Sequence, residues 1–390
     1  MASPPSSVIA PPSSPTLLFA GGGTGGHLYP GIAVAEALRC ALPEAKAVFL
    51  CTSRAIDRII LEPTGFEFIP QPIVPPERSV PGLLKFWRAW RETKDQVRGV
   101  IRAHRPSLVL GLGGYAAGVA VKAAARRGIP AALINPDVIP GKANQYLMQY
   151  VQTVCCQFEQ TRDYVAPGYR DKLRVTGCPI RKALRTLPER EQAAHQLGLD
   201  PRLMTLVITG ASQGAQTVNE AVLEVLRETR PQGWQILHLA GRDHGETVRA
   251  AYRELGLVAG GKLSTRVIDF TPAMADVWSV ADLVISRAGA SSCAELTACG
   301  IASVLMPYPF HRDSHQKLNA RVLADAGAAI AIDDQRDGKK NAITLRPILE
   351  SLLFDAPRRQ AMATAAKQLG KPTAAEAVVA EITRMLGVSR

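Results

Sequence analysis

The sequence predicts an α/β fold of two doubly wound parallel units facing each other across a cleft. Three observations carry that prediction. The chain has 390 residues, more than one hydrophobic core ordinarily serves and enough for two. Short runs rich in branched aliphatic residues alternate with longer helical stretches, as in a parallel sheet built from strand–helix–strand units. Three of those runs end in turns almost bare of large side chains: "GGGTGG" at 21–26, "GASQGA" at 210–215 and "RAGASS" at 287–292.

Taken in order, the elements are these. The opening "MASPPSSVIAPPSSP" has no Lys or Arg and no apolar core, so it does not read as a secretory signal. Its Pro and Ser content cannot offset ordering entropy, and residues 1–15 are expected to form a disordered tail. A first unit, 16–177, holds strand candidates "TLLFA" (16–20), "AVFLC" (47–51), "SLVLGLG" (107–113), "AALI" (131–134), "TVCC" (153–156) and "KLRVTG" (172–177). Residues 178–202 are charged and helical without a core strand, as a linker region would be. The second unit, 203–365, holds "LMTLVITG" (203–210), "QILHLAG" (235–241), "TRVIDF" (265–270), "DLVIS" (282–286), "SVLMPY" (303–308) and "AAIAID" (328–333). In the final segment, 366–390, "PTAAEAVVAEITRMLGV" (372–388) reads as an amphipathic helix.

Composition narrows the function classes. No apolar run approaches the roughly 20 residues that span a bilayer. Seven cysteines (Cys40, Cys51, Cys155, Cys156, Cys178, Cys293, Cys299) form no spaced metal set, and neither zinc nor a disulfide framework is expected. The net charge is +12, and residues 1–180 hold 20 basic against 12 acidic side chains. Much of that excess lies in 85–105, "KFWRAWRETKDQVRGVIRAHR".

The glycine turns carry the chemistry. Residues 21–26 satisfy GxGxxG after a strand and before a helix, which lets phosphate or sugar oxygens approach backbone N–H groups. A dinucleotide site wants an acid at the end of the next strand, and "AVFLCTSRAID" offers only Thr52 and Ser53 there. The second turn presents Ser212, Gln213 and Gly214. In the third, Arg287 ends a strand and a helix begins near Ser291, with the N-terminal dipole favouring an anion by roughly 0.3–1 kcal/mol. Glu295, one turn on, suits the hydroxyls of a ribose, or simply meets the helix dipole. His315, Gln316 and Asn319 start another helix facing the same cleft, their polar groups suited to sugar hydroxyls. The last two turns together read as a nucleoside diphosphate site.

"GGGTGGHLYPGIAVAEAL", "GLGGYAAG", "VTGCPIR", "TGASQGA", "SRAGASSCAELTACG" and "DSHQKLNA" occur in the order and approximate spacing of one family. From about residue 16 to 385 the chain resembles the N-acetylglucosamine transferases of peptidoglycan synthesis, the MurG family, which turn lipid I into lipid II. The resemblance implies the GT-B fold: two Rossmann-like domains, an active site in the interdomain cleft, and a C-terminal helix returning to the first domain. It implies that 16–177 faces acceptor and membrane and that 203–365 binds the UDP-sugar. It implies UDP-N-acetylglucosamine contacts at Thr24, Gly25, Gly26, Arg181, Ser212, Thr271 and Gln316. Ala290, Ser291, Ser292, Cys293, Ala294 and Glu295 would hold diphosphate and ribose, with Glu295 on the ribose. His27 and Tyr115 match positions on the acceptor side. One departure stands out. After "GIPAAL" the family reads His-Glu-Gln-Asn, whereas this chain reads "INPD" (134–137), so Asp137 takes the place of an asparagine that touches the donor sugar and Ile134 that of an imidazole.

The implied reaction is an inverting transfer to the 4-hydroxyl of a muramyl sugar as UDP departs. His27 is the candidate base, since an imidazole accepts protons near neutrality; its other reading is a phosphate or helix-start contact. Amides around Ala290–Ser292, with Arg181, would meet the departing charge, and Arg287 either joins them or holds the glycine turn. With no Asp-x-Asp motif, neither a metal nor another cofactor is expected. The acceptor would be undecaprenyl-linked lipid I, reached from the cytoplasmic face of the bacterial inner membrane. Leu83, Trp87, Trp90, Val97 and Ile101 form one helical stripe ringed by Lys85, Arg88, Arg91 and Arg98, so 73–105 is expected to meet an anionic leaflet, to pack on its own sheet, or both. Rival readings are a nicotinamide dehydrogenase, a nucleic-acid module, a diacylglycerol glycosyltransferase and a UDP-sugar epimerase. The first leaves the C-terminal turns unexplained. Only 5% aromatic content and no recognisable motif speak against nucleic acid.

Overall fold

The computed structural model describes residues 14–75, 79–210, 214–257, 264–310 and 314–387. All but the last two residues of the expected tail lie outside them. Among the described residues one sheet contains β1 (Thr16–Gly21), β2 (Lys46–Thr52), β3 (Glu67–Gln71), β4 (Leu108–Gly113), β5 (Ala131–Asn135), β6 (Thr153–Cys156) and β7 (Leu173–Val175). The other contains β8 (Met204–Thr209), β9 (Trp234–Leu239), β10 (Thr265–Ile268), β11 (Leu283–Ser286), β12 (Ser303–Leu305) and β13 (Ala329–Ala331). The orders are β3-β2-β1-β4-β5-β6-β7 and β10-β9-β8-β11-β12-β13, and the pairings are parallel.

Each expected strand run holds a strand, and β3 is an addition. Its sequence, "EFIPQ", contains Pro70 and lacks alternation. The missing N–H costs little there, because β3 is a sheet edge paired only with β2. In both sheets the strand order reverses next to the first strand, between β1 and β4 and between β8 and β11. Crevices open at the carboxyl ends of strands at such points. The turns after β1, β4 and β11 emerge there.

Each sheet is buried on both faces, so its central strands are continuously apolar. In the first lobe, Leu18, Val109 and Leu133 pack on one side, and Leu17, Phe19 and Phe49 on the other. The helix Ala374–Leu386 adds Val378, Val379 and Ile382 to that second cluster, although the chain has by then traversed the other lobe. At about 1.5–3 kcal/mol for each buried aliphatic side chain, this return contact fastens the end of the chain to the first lobe. Residues 178–202 are packed too: Ile180, Leu184, Ala193, Ala194 and Leu197 enter the core of the second lobe, and Arg190 pairs with Asp282 at 2.7 Å.

The helix Val80–His104 divides the expected stripe. Val97 and Ile101 are core residues, Trp90 packs at its margin, and Leu83 and Trp87 are exposed together with Val80 and Leu84. Residues 76–78 of the predicted 73–105 patch lie outside the described residues. No described helix is long and apolar enough to cross a membrane.

Candidate functional site

The crevices of the two sheets merge into one cavity of about 610 Å³ between the lobes, within the range of small-molecule sites. Its first wall is the turn after β1. Gly23 N–H donates to both oxygens of Asp57, at 2.8 and 2.9 Å. Asp57 is fully buried and also accepts from Thr52 N–H (2.8 Å) and Thr52 Oγ1 (2.7 Å). Arg54 closes the clamp by donating to Gly23 O at 2.9 Å. A Cβ on Gly22 would lie 2.2 Å from Asp57 Oδ2, and Gly23 has φ +86°, so this stretch excludes side chains because of a buried carboxylate inside the protein. As the sequence indicates, the strand end carries no acid of the kind a dinucleotide site needs. Asp57, five residues beyond Thr52, holds the loop instead.

The clamp positions His27. Its Nδ1 lies 3.2 Å from Gly22 O and 3.2 Å from Thr24 Oγ1. A proton on Nδ1 donates to that carbonyl, which leaves the Nε2 lone pair free. The ring rests on the turn after β4, where a Cβ on Gly113 or on Gly114 would approach it to 3.1 Å. Burial lowers the His27 pKa below the ordinary imidazole value, while the Gly22 carbonyl, Asp137 and Asp57 oppose it without prevailing. The shift favours the neutral imidazole.

The facing wall is the helix Ala290–Cys299, capped by Gly289. Ala290, Ser291, Ser292 and Glu295 line the cavity opposite Thr24, Gly25, Gly26 and His27. A Cβ on Gly26 would lie 4.0 Å from Ser291 Oγ, so the N-termini of the helices Gly25–Ala41 and Ala290–Cys299 meet across the gap. Two positive dipole ends with free N–H groups aimed at one space form an anion site. Glu295 is oriented by Trp278 Nε1, which donates to Oε2 at 2.9 Å, and by Arg181, which donates to Oε1 at 3.2 Å. Arg181 also donates to Pro272 O at 2.9 Å and stacks 4.7 Å from the Tyr29 ring centre, touching both lobes. Each Glu295 oxygen keeps a lone pair for a further donor.

Thr271, with Phe270 and Asp269, lines the cavity, and its Oγ1 accepts from Ala273 N–H at 3.1 Å. Gln316 and His315 also line it, and Gln316 Oε1 accepts from Tyr308 N–H at 3.0 Å. Asp137 lines the wall with Oδ1 held at 2.8 Å by Asn319 Nδ2. That bond gives the carboxylate a donor of its own beside the two helix N-termini. Ile134 is buried in the core of the first lobe.

Among the described residues, Tyr115, Arg287, Cys293, Ala294 and Asn319, all expected at the site, do not line the cavity. Tyr115 sits behind the first turn, its hydroxyl 3.6 Å from where a Gly23 Cβ would be. Burial raises its pKa, Arg54 opposes this, and Asp57 adds to it. Arg287 is buried and bound to Asp334 (2.7 Å), Thr217 (2.9 Å) and Met306 O (3.0 Å), so it braces the base of the third turn. Cys293 and Ala294 point into the core of the second lobe. Ser212 lies outside the described residues. Tyr29, Lys142, Asn144 and Trp278 line the cavity, and Asp57 and Arg54 hold its first turn, yet all six escape the sequence reading. For Asp57 and Arg54 the available signal is a charged pair at the start of the helix after β2; the others carry no local pattern.

Comparison with known proteins follows the same division. Residues 17–156 match the N-terminal domain of glycosyltransferase family 28, and residues 205–378 match its C-terminal domain. The chain is 34% identical over 369 residues to the UDP-N-acetylglucosamine--N-acetylmuramyl-(pentapeptide) pyrophosphoryl-undecaprenol N-acetylglucosamine transferase of Halothermothrix orenii, covering 93% of this chain and 97% of that protein. Among solved structures it superimposes on MurG of Acinetobacter baumannii with a TM-score of 0.73 at 25% identity, covering 95% of this chain and 99% of that one. A UDP-GlcNAc 2-epimerase from Neisseria meningitidis, bound to UDP-GlcNAc, gives a TM-score of 0.66 at 14% identity over 95% of this chain and all of its own, which shows a shared fold alone.

Proposed function

This chain belongs to glycosyltransferase family 28, and from that premise we propose how its cleft transfers N-acetylglucosamine from UDP-N-acetylglucosamine to lipid I, giving lipid II. It is a hexosyltransferase of the peptidoglycan-building branch, in keeping with its relatives over nearly the whole chain. The observation that carries the site assignment is the meeting of two helix N-termini in one cavity, beside a histidine whose Nδ1 faces the Gly22 carbonyl.

UDP enters with its base near Phe270 and Thr271 and its ribose on Glu295, whose carboxylate Trp278 and Arg181 hold ready. The diphosphate lies on the amides of Ala290–Ser292, opposite Thr24–Gly26. Asp137 keeps one oxygen on Asn319 and offers the other to a sugar hydroxyl, as Gln316 offers its amide. The acceptor 4-hydroxyl attacks the anomeric carbon from the side opposite UDP, which inverts that centre. His27 Nε2 takes the hydroxyl proton as the new bond forms, and charge developing on UDP meets N–H groups already fixed in place. Such preorganised donors do the work that a metal does in Asp-x-Asp transferases, so no metal is assigned to the step.

The acceptor's lipid locates the enzyme as a peripheral protein on the cytoplasmic face of the inner membrane. Exposed Val80, Leu83, Leu84 and Trp87 form an apolar tip on the helix Val80–His104. Next to it Lys94, Arg98, Lys122, Arg126 and Arg127 ring a groove of about 200 Å³ floored by Trp90 and Val119. Each cation near an anionic leaflet contributes about 1 kcal/mol. A nucleic-acid role is not assigned, because this charge borders an apolar tip. Incubation with UDP-N-acetylglucosamine and a short-chain lipid I analogue should give disaccharide and UDP. Product formed only with diacylglycerol would refute the acceptor, and 2-epimerised sugar without transfer would refute the reaction.

A further inference from the structure

Two side-chain amides join the same pair of turns from opposite lobes. Asn319, buried on the helix His315–Asp325 of the second lobe, accepts at Oδ1 from Val138 N–H at 3.0 Å. Its Nδ2 donates to Asp137 Oδ1 at 2.8 Å and to Ala288 O at 3.1 Å. Gln157 follows β6 of the first lobe. With its amide nitrogen turned to the two carbonyls that face it, it donates to Pro136 O at 2.9 Å and to Ala290 O at 3.2 Å. Each lobe thus supplies one amide, and each amide bonds both the 136–138 turn and the 288–290 turn. Asn135 stiffens the first turn by donating to Asp137 O at 2.8 Å, and Val138 sits in the core of the second lobe.

We propose that Gln157 and Asn319 are positioning residues: a double amide pin that fixes the diphosphate turn relative to His27. Neither side chain lines the donor cavity. The base and the diphosphate amides lie on different lobes, and lobes of one chain move relative to each other unless their interface holds them. A displacement of about 1 Å between reacting groups costs as much as 100-fold in rate. The pin acts where that displacement would arise, at the root of the helix Ala290–Cys299. Asp137 gives it a charged acceptor, which strengthens the Asn319 bond over a neutral pair. The inference rests on the transfer reading above, since it takes His27 and the 288–292 turn to act on one substrate.

Gln157→Glu and Asn319→Asp preserve size and replace a donating N–H with an acceptor. Each should lower kcat about tenfold or more, as expected for two lost hydrogen bonds. UDP affinity, held by the second lobe, should stay within about threefold. Asn319→Asp combined with Asp137→Asn returns a donor to the pair and should recover much of the lost kcat. Spin labels on the two lobes of the full chain should report a broader interlobe distance distribution in Gln157→Glu. Either isosteric variant turning over within about twofold of the unmodified chain, or an unchanged distance distribution, overturns the pin. Parallel loss of kcat, UDP affinity and melting temperature also overturns it, because that pattern marks a fold defect. If the unmodified chain forms no disaccharide, the transfer reading fails, and the distance measurement still decides the pin.

Discussion

Asp57→Asn tests the clamp beneath the first glycine turn. The carboxylate accepts from Gly23 N–H, Thr52 N–H and Thr52 Oγ1 with no exposure to solvent. Asparagine has nearly the same shape, so packing is preserved, but its one oxygen is neutral and its nitrogen faces a donor. Hydrogen bonds to a charged group contribute about 1.5–3 kcal/mol and neutral ones about 0.5–1.5, so three weakened bonds amount to about 3 kcal/mol. For a lobe of this size that lowers the melting temperature by about 6–12 °C. Calorimetry of the full chain should show the transition of the first lobe shifted and that of the second unmoved. Turnover should fall at least about tenfold, because His27 is held through Gly22 O. A first-lobe transition within about 1 °C of the unmodified chain, together with normal turnover, would refute the claim that this carboxylate organises the loop.

Other expectations follow from the same geometry. His27→Ala should reduce kcat by about 10²–10⁴-fold, the range for a general base, with donor affinity unchanged; a near-normal rate removes it from catalysis. Because the His27 pKa is depressed, its neutral form persists below the ordinary imidazole range. Rates should therefore fall only as pH drops below about 6.5, and an acid limb centred above that value contradicts the assignment. The same sign makes its contribution to stability complete above the unfolded value and lost as pH falls through the folded one. Glu295→Ala should weaken UDP-sugar binding about 10–100-fold, as for charged hydrogen bonds lost, without unfolding the chain; equilibrium titration with UDP reads it, and unchanged affinity counts against the ribose role. Replacing Leu84 and Trp87 with serine should loosen vesicle association in flotation while leaving turnover of a water-soluble acceptor intact. Retained flotation would leave that tip without a membrane role.

What the sequence by itself determined is the architecture and the places where backbone approaches a partner. Alternating apolar runs are a local property, so β1, β2 and β4–β13 could be read directly, and among the strands of the described residues only β3, broken by Pro70 at a sheet edge, could not. The glycine turns announced close approach but not its object. At Gly22 the neighbour is Asp57, and at Gly113 and Gly114 it is His27. Tertiary structure alone decided that Arg287 braces Asp334 away from the cleft, that Trp278 and Arg181 aim Glu295, and that Asp137 meets Asn319 across 182 positions of chain. Periodicity and turn chemistry act over a few residues and leave a mark in sequence. A bond between side chains on two lobes depends on how those lobes pack, and packing sums many weak contacts that no short stretch records.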